Sequence, residues 1–292
     1  MDTPVSPAAA LQVSEQPSGL GKPALGMLAL GWLRRRGLEA VDALHRPPGL
    51  PPRRLRARTG APGAREFALG GAQAAAELAG ALQRAGLAPL SASEALLDFG
   101  CGCARVLPHV AALAAGARCH GCDVDAEAIG WAAAHVPGIG FSAIAPEPPL
   151  PQSIGAPFDL IYSISVFSHL DERGQDAWLA ELARVLRPGG VALLSIHGPS
   201  AFRRFESGGA RAGWCPPGAF ARAQLADEEI AFVPYVRSRL NRRELPGVAA
   251  RYGLAFHGHG YVRAHWRRWF EIVALLPRAV TDWQDLVVAR RR

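Results

Sequence analysis

Residues 96–106 constrain the fold more than any other part of this 292-residue chain. Their apolar start has the composition of a buried strand, and two glycines, Gly100 and Gly102, then predict a tight turn before a helix that begins near Ala104. Glycine adopts positive φ and lets a ligand approach the backbone closely, and the start of a helix favours negative charge. The segment therefore predicts a strand, a turn and a helix that bind a nucleotide-like ligand.

An acidic residue, Asp98, stands two positions before the first glycine, at the carboxyl end of the predicted strand. A carboxylate there can meet a cationic or hydroxyl-bearing part of a ligand, whereas it repels a pyrophosphate. A dinucleotide-binding turn also requires a third glycine where this chain has Arg105. Both residues argue against a nicotinamide-dependent oxidoreductase, which ranks third among the functions considered.

A second acidic position lies where a β–α–β unit would place it. Residues 117–125 predict a short strand that ends at Asp123, and residues 126–135 have the spacing of a helix. Asp123 is about 20 residues past the glycine turn, the separation at which a carboxylate meets ribose hydroxyls. Val124 is then expected against the adenine ring, and Asp125 is predicted to cap the helix. The alternative for Asp123 is that it only ends a strand.

Together these motifs resemble the class I S-adenosylmethionine-dependent methyltransferases. Motif I of that family has the form acidic-x-Gly-x-Gly-x-Gly, which Asp98, Gly100 and Gly102 match, with Ala104 at the last glycine. The resemblance spans residues 68–290. It includes regions similar to the family's third strand (141–151), its fourth strand (158–170), the Arg-Pro-Gly-Gly turn before its fifth strand (187–190) and its last two strands (270–290).

The resemblance implies S-adenosylmethionine as the cofactor and a set of residues that bind it. Ile144 stands where relatives often carry Asn or Asp near the adenine amino group, so backbone groups of Ile144 and Ala145 are expected to replace that contact. Ser163 and Ser165 are expected to contact the cofactor or to close the loop by hydrogen bonds. The implied cofactor-binding residues are Asp98, Gly100, Cys101, Gly102, Asp123, Val124, Ile144, Ala145, Ser163 and Ser165.

His169 is the leading candidate for a catalytic residue, because it follows the fourth strand at the edge where the transferred methyl should lie. Histidine suits a general base near neutral pH, which an alcohol or a protonated amine acceptor would need. The Ser-His-Leu run is also similar to a recurrent family sequence in which the histidine orients the loop, so that role stays open. His197, His257 and His259 are weaker candidates.

The order of predicted elements indicates an α/β fold with a doubly wound, Rossmann-like, mostly parallel seven-stranded sheet and helices on both faces. An N-terminal helical extension precedes the sheet, and an insertion follows its fifth strand. The predicted divisions are a disordered tail (1–23), a basic, proline-broken extension (24–67) and a methyltransferase domain (68–292), in which residues 198–256 form an insertion that covers the substrate. Within that insertion, residues 221–232 and 238–252 are expected to be partly helical.

Much of the formal net charge of +7 comes from residues 34–65, which contain nine arginines and two acidic residues. Such a segment can meet nucleic acid, anionic lipid or an acidic substrate, or it can simply be a solvated or packing segment. No aromatic residues are interleaved with these arginines to stack bases, which argues against nucleic acid. The sequence gives no expectation for the oligomeric state.

The five cysteines do not form a disulfide-like framework, which is typical of a reducing compartment, and a cytoplasmic location is expected. Cys119 and Cys122 point to opposite faces of a strand, so no metal site is expected. Neither a membrane-spanning run nor a secretory signal is recognised.

Three functions from different classes follow in order. The first is methyl transfer from S-adenosylmethionine to an oxygen or nitrogen of a small-molecule or glycan acceptor. The second is a nonenzymatic S-adenosylmethionine-binding or scaffold protein. The third is the oxidoreductase that Asp98 and Arg105 disfavour.

Overall fold

The computed structural model describes residues 37–44, 46–207, 215, 225–235 and 252–292. The chain divides into two compact units, Met1–His45 and Arg46–Arg292. In the first unit residues 37–44 are helical, in agreement with the predicted N-terminal helical extension. The predicted tail (1–23), residues 24–36 of the extension and residues 238–251 of the helical stretch predicted at 238–252 lie outside the described residues.

Seven strands of the second unit form one sheet in the order β3-β2-β1-β4-β5-β9-β8, and β6 pairs with β7 separately. Strands β1 to β5 are parallel, whereas β9 runs antiparallel to both of its neighbours. The strands are β1 Ala95–Phe99, β2 Arg118–Asp123, β3 Gly140–Ala143, β4 Phe158–Ser163, β5 Leu186–Ile196, β6 Ile230–Pro234, β7 Gly253–His257, β8 Phe270–Val280 and β9 Gln284–Arg291.

Helices alternate with the first strands and then flank the insertion. They are α1 Arg53–Arg58, α2 Ala64–Arg84, α3 Leu107–Leu113, α4 Ala126–His135, α5 Glu172–Val185, α6 Pro199–Glu206 and α7 His259–His265. The bounds of α4 are those predicted from the sequence. None of the helices within the described ranges combines the length and the apolar character that a bilayer crossing requires.

Two hydrophobic cores lie on opposite faces of the sheet. In β1, Leu96 packs into the core that contains residues of α2 and α3, and Leu97 packs into the core that contains residues of α5. Leu160 and Ile161 of β4 divide in the same way. Alternate side chains of a strand point to opposite faces, and a parallel sheet is stable when both faces are covered. The predicted doubly wound α/β fold is confirmed.

Helix α5 shows how the sequence determines an element. The Asp171 side chain accepts a hydrogen bond from the Gly174 amide (2.8 Å) at the start of the helix, as an N-cap does. Trp178, Leu179 and Leu182 recur at helical spacing and are buried against the sheet. The cap and the apolar stripe together define where α5 begins and which face it buries.

Strand β5 begins earlier than predicted. The Arg-Pro-Gly-Gly segment is not a turn ahead of the strand but an irregularity within it, because Leu186 pairs with Phe158 and Val191 pairs with Leu160. The four residues between those pairs loop out, and Gly189 there has a φ of +76°. A bulge of this kind lets the chain leave α5 and enter the sheet without an intervening loop.

The insertion also departs from its prediction. Residues 230–234 form β6 rather than the end of a helix, because they pair antiparallel with β7 and Val233 is buried opposite Leu254. Aromatic and β-branched residues favour such a half-buried strand once a partner strand is present. The pairing partner lies about twenty residues away, beyond what local periodicity detects.

The predicted boundary between residues 67 and 68 falls inside α2, which begins at Ala64. Residues 46–67 pack in the same unit as the sheet, so the division lies at 45/46 instead. Packing of α1 on the sheet unit, rather than composition, decides this boundary.

Removal of the α5 cap tests this account of the helix. We expect Asp171→Ala to lower the free energy of unfolding by about 1 kcal/mol, because the Gly174 amide loses its acceptor. Urea denaturation followed by circular dichroism measures the change. Asp171→Ser keeps a capping oxygen and is the control; equal losses in both variants would contradict the capping role.

Candidate functional site

A cleft of about 590 Å³ opens at the carboxyl edge of the parallel strands. This edge is where open α/β sheets bind ligands. The cleft receives residues from α1, α2, the turn after β1, the end of β2, the loop after β4, α6 and the start of β9. Of the residues predicted from sequence, it is lined by Asp98, Gly100, Cys101, Gly102, Asp123, Val124, Ser165 and His169.

The glycine turn after β1 requires its glycines. Gly100 and Gly102 have φ of +86° and +54°, and a Cβ at Gly100 would overlap Cγ2 of Val166. The Gly100 amide donates to the Cys122 carbonyl (2.8 Å), which holds the turn against β2. Ala104 also has positive φ (60°), so helix α3 begins only at Leu107 and not near Ala104 as predicted. Because Gly100, Gly102 and Ala104 all have positive φ, the turn itself lines the cleft at this point, and the end of helix α3 does not.

Asp123 lies at the end of β2 and is hydrogen-bonded to the glycine turn. One carboxylate oxygen accepts a hydrogen bond from the Gly102 amide (2.7 Å), and the other accepts from the Asp125 amide (2.8 Å). Burial raises the pKa of Asp123, and these amide donors oppose the rise. A carboxylate has about four acceptor positions, so both oxygens retain the capacity to accept from a ligand hydroxyl. Asp125 caps α4 through the Ala128 amide (3.2 Å), as predicted.

Asp98 is a buried carboxyl group that lines the cleft. The Tyr162 hydroxyl donates to its Oδ2 (2.6 Å). Burial raises the pKa of Asp98 to about 7, and the nearby negative charge of Asp123 raises it further. The hydrogen bond from Tyr162 and the positive charge of Arg105 both act to lower this pKa. Asp98 therefore changes charge near neutral pH, and a cation in the cleft would favour its ionised form.

Arg105 is a cleft residue whose role the sequence did not reveal. Its guanidinium is largely buried, which lowers its pKa, and the charges of Asp98 and Glu66 act against that shift. Within the described part of the chain it has neither a hydrogen-bond partner nor an ion-pair partner. In the sequence, Arg105 served only as evidence against a dinucleotide-binding motif, which has glycine at this position. A guanidinium in this setting is suited to a carboxylate ligand.

The residues predicted to contact adenine do not all line the cleft. Val124 lines the cleft, whereas Ile144 and Ala145 are absent from its lining. The Ile144 amide donates to the Asp123 carbonyl (2.9 Å), and the Ile144 side chain packs against the core. The Ile144 amide thus extends the pairing of β2 with β3, and the adenine contact of the Ile144 and Ala145 backbone groups stays a prediction.

The two predicted serines also differ. Ser163 is fully buried in β4 and does not line the cleft, and its hydroxyl has no hydrogen-bond partner among the described residues. Ser165 lines the cleft with a φ of +62°. Its amide donates to Ser195 Oγ (2.8 Å), and its hydroxyl exchanges hydrogen bonds with the Gln284 amide group (2.9 and 3.2 Å). Ser165 thus closes the loop after β4, whereas Ser163 is a core residue.

His169 lines the cleft and is buried. Its Nδ1 lies 2.8 Å from the Gly253 carbonyl oxygen and 3.1 Å from the Tyr235 hydroxyl. A carbonyl oxygen only accepts, so Nδ1 carries the proton and Nε2 is the basic nitrogen. The arrangement fixes the tautomer that a general base would need.

The other histidines are not equivalent to His169. His197 lines the cleft beside it, with ring centroids 5.8 Å apart. His257 is fully buried outside the cleft, where burial lowers its pKa to about 3 and its Nε2 lies 2.9 Å from Gln175 Oε1. His259 pairs with the buried Asp285 (2.6 Å) and does not line the cleft. His257 and His259 therefore have structural roles.

Four aromatic or amide residues of the cleft were not identified from the sequence. Phe205 belongs to α6, Tyr252 directly precedes β7, Trp283 lies in the turn before β9, and Gln284 begins β9. They lie in the irregular insertion and the tail, where no motif marks them. Only the fold brings them to His169.

The basic segment before the sheet is held on the domain by its arginines. Arg58 pairs with Asp125 (2.9 Å) and with Glu127 (2.7 Å), and Arg54 also pairs with Glu127 (2.8 Å). The buried Arg56 donates to the carbonyls of residues 51 and 62. These contacts support the packing alternative for this part of the segment, and they place Leu55 and residues 58–61 in the wall of the cleft.

All five cysteines are buried and free. Burial raises the pKa values of the Cys101, Cys103 and Cys122 thiols, which lie in or beside the turn. The pKa of Cys103 is raised to about 12. Across the described ranges no three His, Cys, Asp or Glu side chains are grouped as metal ligands. The thiols act as small apolar residues.

Residues 97–192 match the family model described as a methyltransferase domain. The match runs from β1 into β5 and so includes the glycine turn, Asp123 and His169. The cleft residues contributed by α1 and α2 precede the match.

Three solved structures resemble this chain at low sequence identity. A glycopeptide N-methyltransferase, MtfA, crystallised with S-adenosyl-L-methionine, is 15% identical with a TM-score of 0.50 over 76% of this chain and 94% of that chain. The amino pentose methyltransferase CalS10 from Micromonospora echinaspora is 19% identical (TM-score 0.47; 75% and 90% covered). The N-methyltransferase NodS from Bradyrhizobium japonicum is 16% identical (TM-score 0.44; 74% and 86% covered).

The left-handed Ala104 gives a stability test of the turn. Alanine at positive φ costs about 1 kcal/mol relative to glycine, which the greater chain entropy of unfolded glycine offsets in part. We expect Ala104→Gly to leave stability unchanged or to raise it by up to about 1 kcal/mol, in contrast to the usual cost of glycine. Thermal unfolding measures this, with Ala114→Gly as the control; a loss above about 1 kcal/mol at position 104 would contradict the turn geometry.

Proposed function

Because residues 97–192 match the family model of a methyltransferase domain and the sheet has the class I order, we infer that this protein is a class I S-adenosylmethionine-dependent methyltransferase, and we propose that it transfers a methyl group to an oxygen or nitrogen of a small-molecule or glycan acceptor. The sulfonium cofactor supplies an electrophilic methyl group, so the protein has mainly to align the acceptor behind it. The observation that carries the proposal is the presence of Asp98 and Arg105, of opposite charge, in one cleft with Asp123 and His169.

The charged residues fit the amino-acid end of the cofactor. An α-ammonium group would be held by the carboxylate of Asp98, and an α-carboxylate by the guanidinium of Arg105. Each of these two side chains is largely buried, so each is stabilised when an opposite charge joins it. A pyrophosphate would face Asp98 and Asp123 with no gain, which disfavours a nicotinamide dinucleotide.

The remaining cofactor contacts follow from the turn. Asp123 is positioned to accept hydrogen bonds from ribose hydroxyls, and the side chain of Val124 supplies an apolar surface for the adenine. Gly100 and Gly102 leave the backbone open beside them. Ser165 and Cys101 complete the lining, whereas Ile144, Ala145 and Ser163 lie outside it.

His169 is proposed to accept the proton of the acceptor. Its Nε2 is the basic nitrogen, because Nδ1 donates to Gly253. Positioned proton acceptors of this kind contribute about 10²- to 10⁴-fold to a rate. The arginines that hold α1 on the domain are engaged with carboxylates and carbonyls, so a small molecule rather than nucleic acid is the proposed partner.

Calorimetry with the full chain tests the cofactor assignment. We expect S-adenosylhomocysteine to bind at micromolar concentration and NAD not to bind. Binding of NAD alone would overturn the assignment. Binding of S-adenosylhomocysteine without turnover of S-adenosylmethionine by any acceptor would support a nonenzymatic binding or scaffold protein instead.

Gly100→Val is expected to abolish S-adenosylhomocysteine binding, because its Cβ would overlap Val166 in the wall of the cleft. Gly138→Val is a matched control: Gly138 also has positive φ (+77°), but open space surrounds its Cβ position. Calorimetry measures both affinities, and circular dichroism checks that both variants fold. Equal affinities for the two variants would contradict the placement of the cofactor at this turn.

Asp98 makes cofactor binding depend on pH. Its pKa is about 7 in the free protein, and an ammonium partner lowers it, so binding releases a proton wherever Asp98 is still protonated. We expect a release of ~0.9 proton at pH 6 and ~0.1 at pH 8. Calorimetry in buffers of different ionisation enthalpy measures the release.

The same experiment on Asp98→Asn is the control. An amide cannot ionise, so the release at pH 6 should disappear even if affinity falls. Unchanged proton release in this variant would assign it to another group, such as Asp123, whose pKa is also raised.

A further inference from the structure

The cleft divides into two halves of different chemistry. Its charged lining residues all come from α1, α2, β1 and its following turn, and the end of β2. They are Arg58, Glu66, Asp98, Arg105, Asp123 and Asp125. The other half, beyond β4 in the sheet order, has no carboxylate, lysine or arginine in its described lining. The division follows the sheet, since β1 and β2 lie on one side of β4 and β5 and β9 lie on the other.

Aromatic rings line the second half. We define the aromatic chamber as His169, His197, Phe205, Tyr252 and Trp283. Neighbouring rings contact one another: centroids are 5.1 Å apart for His169 and Tyr252, 5.4 Å for His197 and Phe205, and 5.2 Å for Phe205 and Trp283. A continuous wall of rings at these spacings favours a flat apolar partner that stacks or packs edge-on.

The chamber is held in place by hydrogen bonds at its base. Gln284 donates to Ser165 Oγ (2.9 Å) and lies 3.4 Å from His197 Nε2. Gly253 and Tyr235 contact Nδ1 of His169. These contacts fix both imidazoles before an acceptor arrives, so the chamber has a defined shape rather than an adaptable one.

Resting on the proposed methyl transfer, we propose that the acceptor is an uncharged, flat aromatic compound with a phenolic hydroxyl, and that the aromatic chamber selects it. The ring system stacks on the chamber wall while its hydroxyl lies at His169 and the transferred methyl. The described residues there offer large apolar faces and no charged group to hold an ionic acceptor.

The alternatives fit the chamber less well. A protonated amine is attracted to aromatic faces, and that attraction keeps its proton in place and its lone pair unavailable. An aliphatic alcohol is a far weaker acid than a phenol, whose pKa near 10 is closer to that of an imidazole. A sugar presents many hydroxyls, each of which requires a polar partner when buried. Of these acceptors, only a phenol fits both the aromatic wall of the chamber and the basicity of His169.

Methyl transfer to the phenol moves one bonding pair and one proton. A lone pair of the phenolic oxygen forms the bond to the methyl carbon as the carbon–sulfur bond breaks, and that bonding pair stays on sulfur. The hydroxyl proton moves to Nε2 of His169. The products are an aryl methyl ether, S-adenosylhomocysteine and a protonated imidazole, which releases its proton to water.

Matched acceptor pairs test the selectivity without requiring turnover. Ligand-observed NMR of the full chain, saturated with S-adenosylhomocysteine, compares 2-naphthol with its fully saturated analogue and with 2-(aminomethyl)naphthalene, an amine that is protonated at neutral pH. We expect 2-naphthol to bind at least 10-fold more tightly than the saturated alcohol. Equal affinities for the alcohol pair, or tighter binding of the amine, would overturn the proposal.

Two phenylalanines of α6 make a paired control. Phe205 lines the chamber, whereas Phe202 is buried outside the cleft. Phe205→Leu should remove most of the preference for 2-naphthol, and Phe202→Leu should preserve it. Loss of the preference in Phe202→Leu alone would assign selectivity to packing elsewhere and overturn the role of the chamber.

A transfer assay then follows the mass gain of one CH₂ on the naphthol when S-adenosylmethionine is supplied. His169→Gln should slow transfer about 100-fold while S-adenosylhomocysteine affinity changes less than ~3-fold. If S-adenosylhomocysteine fails to bind wild type, the proposed function fails. If it binds and only the amine is methylated, the phenol inference fails alone.

Discussion

The structure depends on the carboxylate of Asp123, which joins two backbone segments that are distant in sequence. By accepting from the amides of Gly102 and Asp125, it fixes the turn after β1 to the end of β2. The Gly102 amide lies in a turn where three residues have positive φ, and the Asp125 amide lies at the start of α4; the Asp123 carboxylate supplies an acceptor to both. The same carboxylate remains able to accept from a ligand, so one side chain links the stability of the turn to its use as a binding surface.

The sheet order then separates two kinds of chemistry within one cleft. Strands β1 and β2 carry ionisable groups whose burial shifts their pKa values, and Asp98 is the clearest case. Strands β4, β5 and β9 place histidines, aromatic rings and an amide on the other side. A charged ligand end and a neutral partner can therefore lie side by side without sharing contacts. This separation results from the crossover at β4, where the chain changes direction across the sheet.

Local signals in the sequence were sufficient for the sheet and for the glycine turn, and insufficient for the rest of the cleft. Asp98, Gly100 and Asp123 stand in a motif with fixed spacing, so their strands and positions could be predicted. The amide of Ile144 is used by strand pairing, a contact that composition does not reveal. The aromatic chamber and Arg105 depend on elements far apart in sequence, and no periodicity connects them.

The ion pairs of Arg58 have a consequence for how much chain the cleft requires. Leu55 and residues 58–61 form part of its wall, and Arg58 attaches them to the start of α4 through Asp125 and Glu127. The region that matches the family model begins only at residue 97. A fragment trimmed to that match would lack the side of the cleft nearest Gly102, where Thr59 now lies. The smallest piece with an intact cavity must therefore begin ahead of the prolines at 51 and 52.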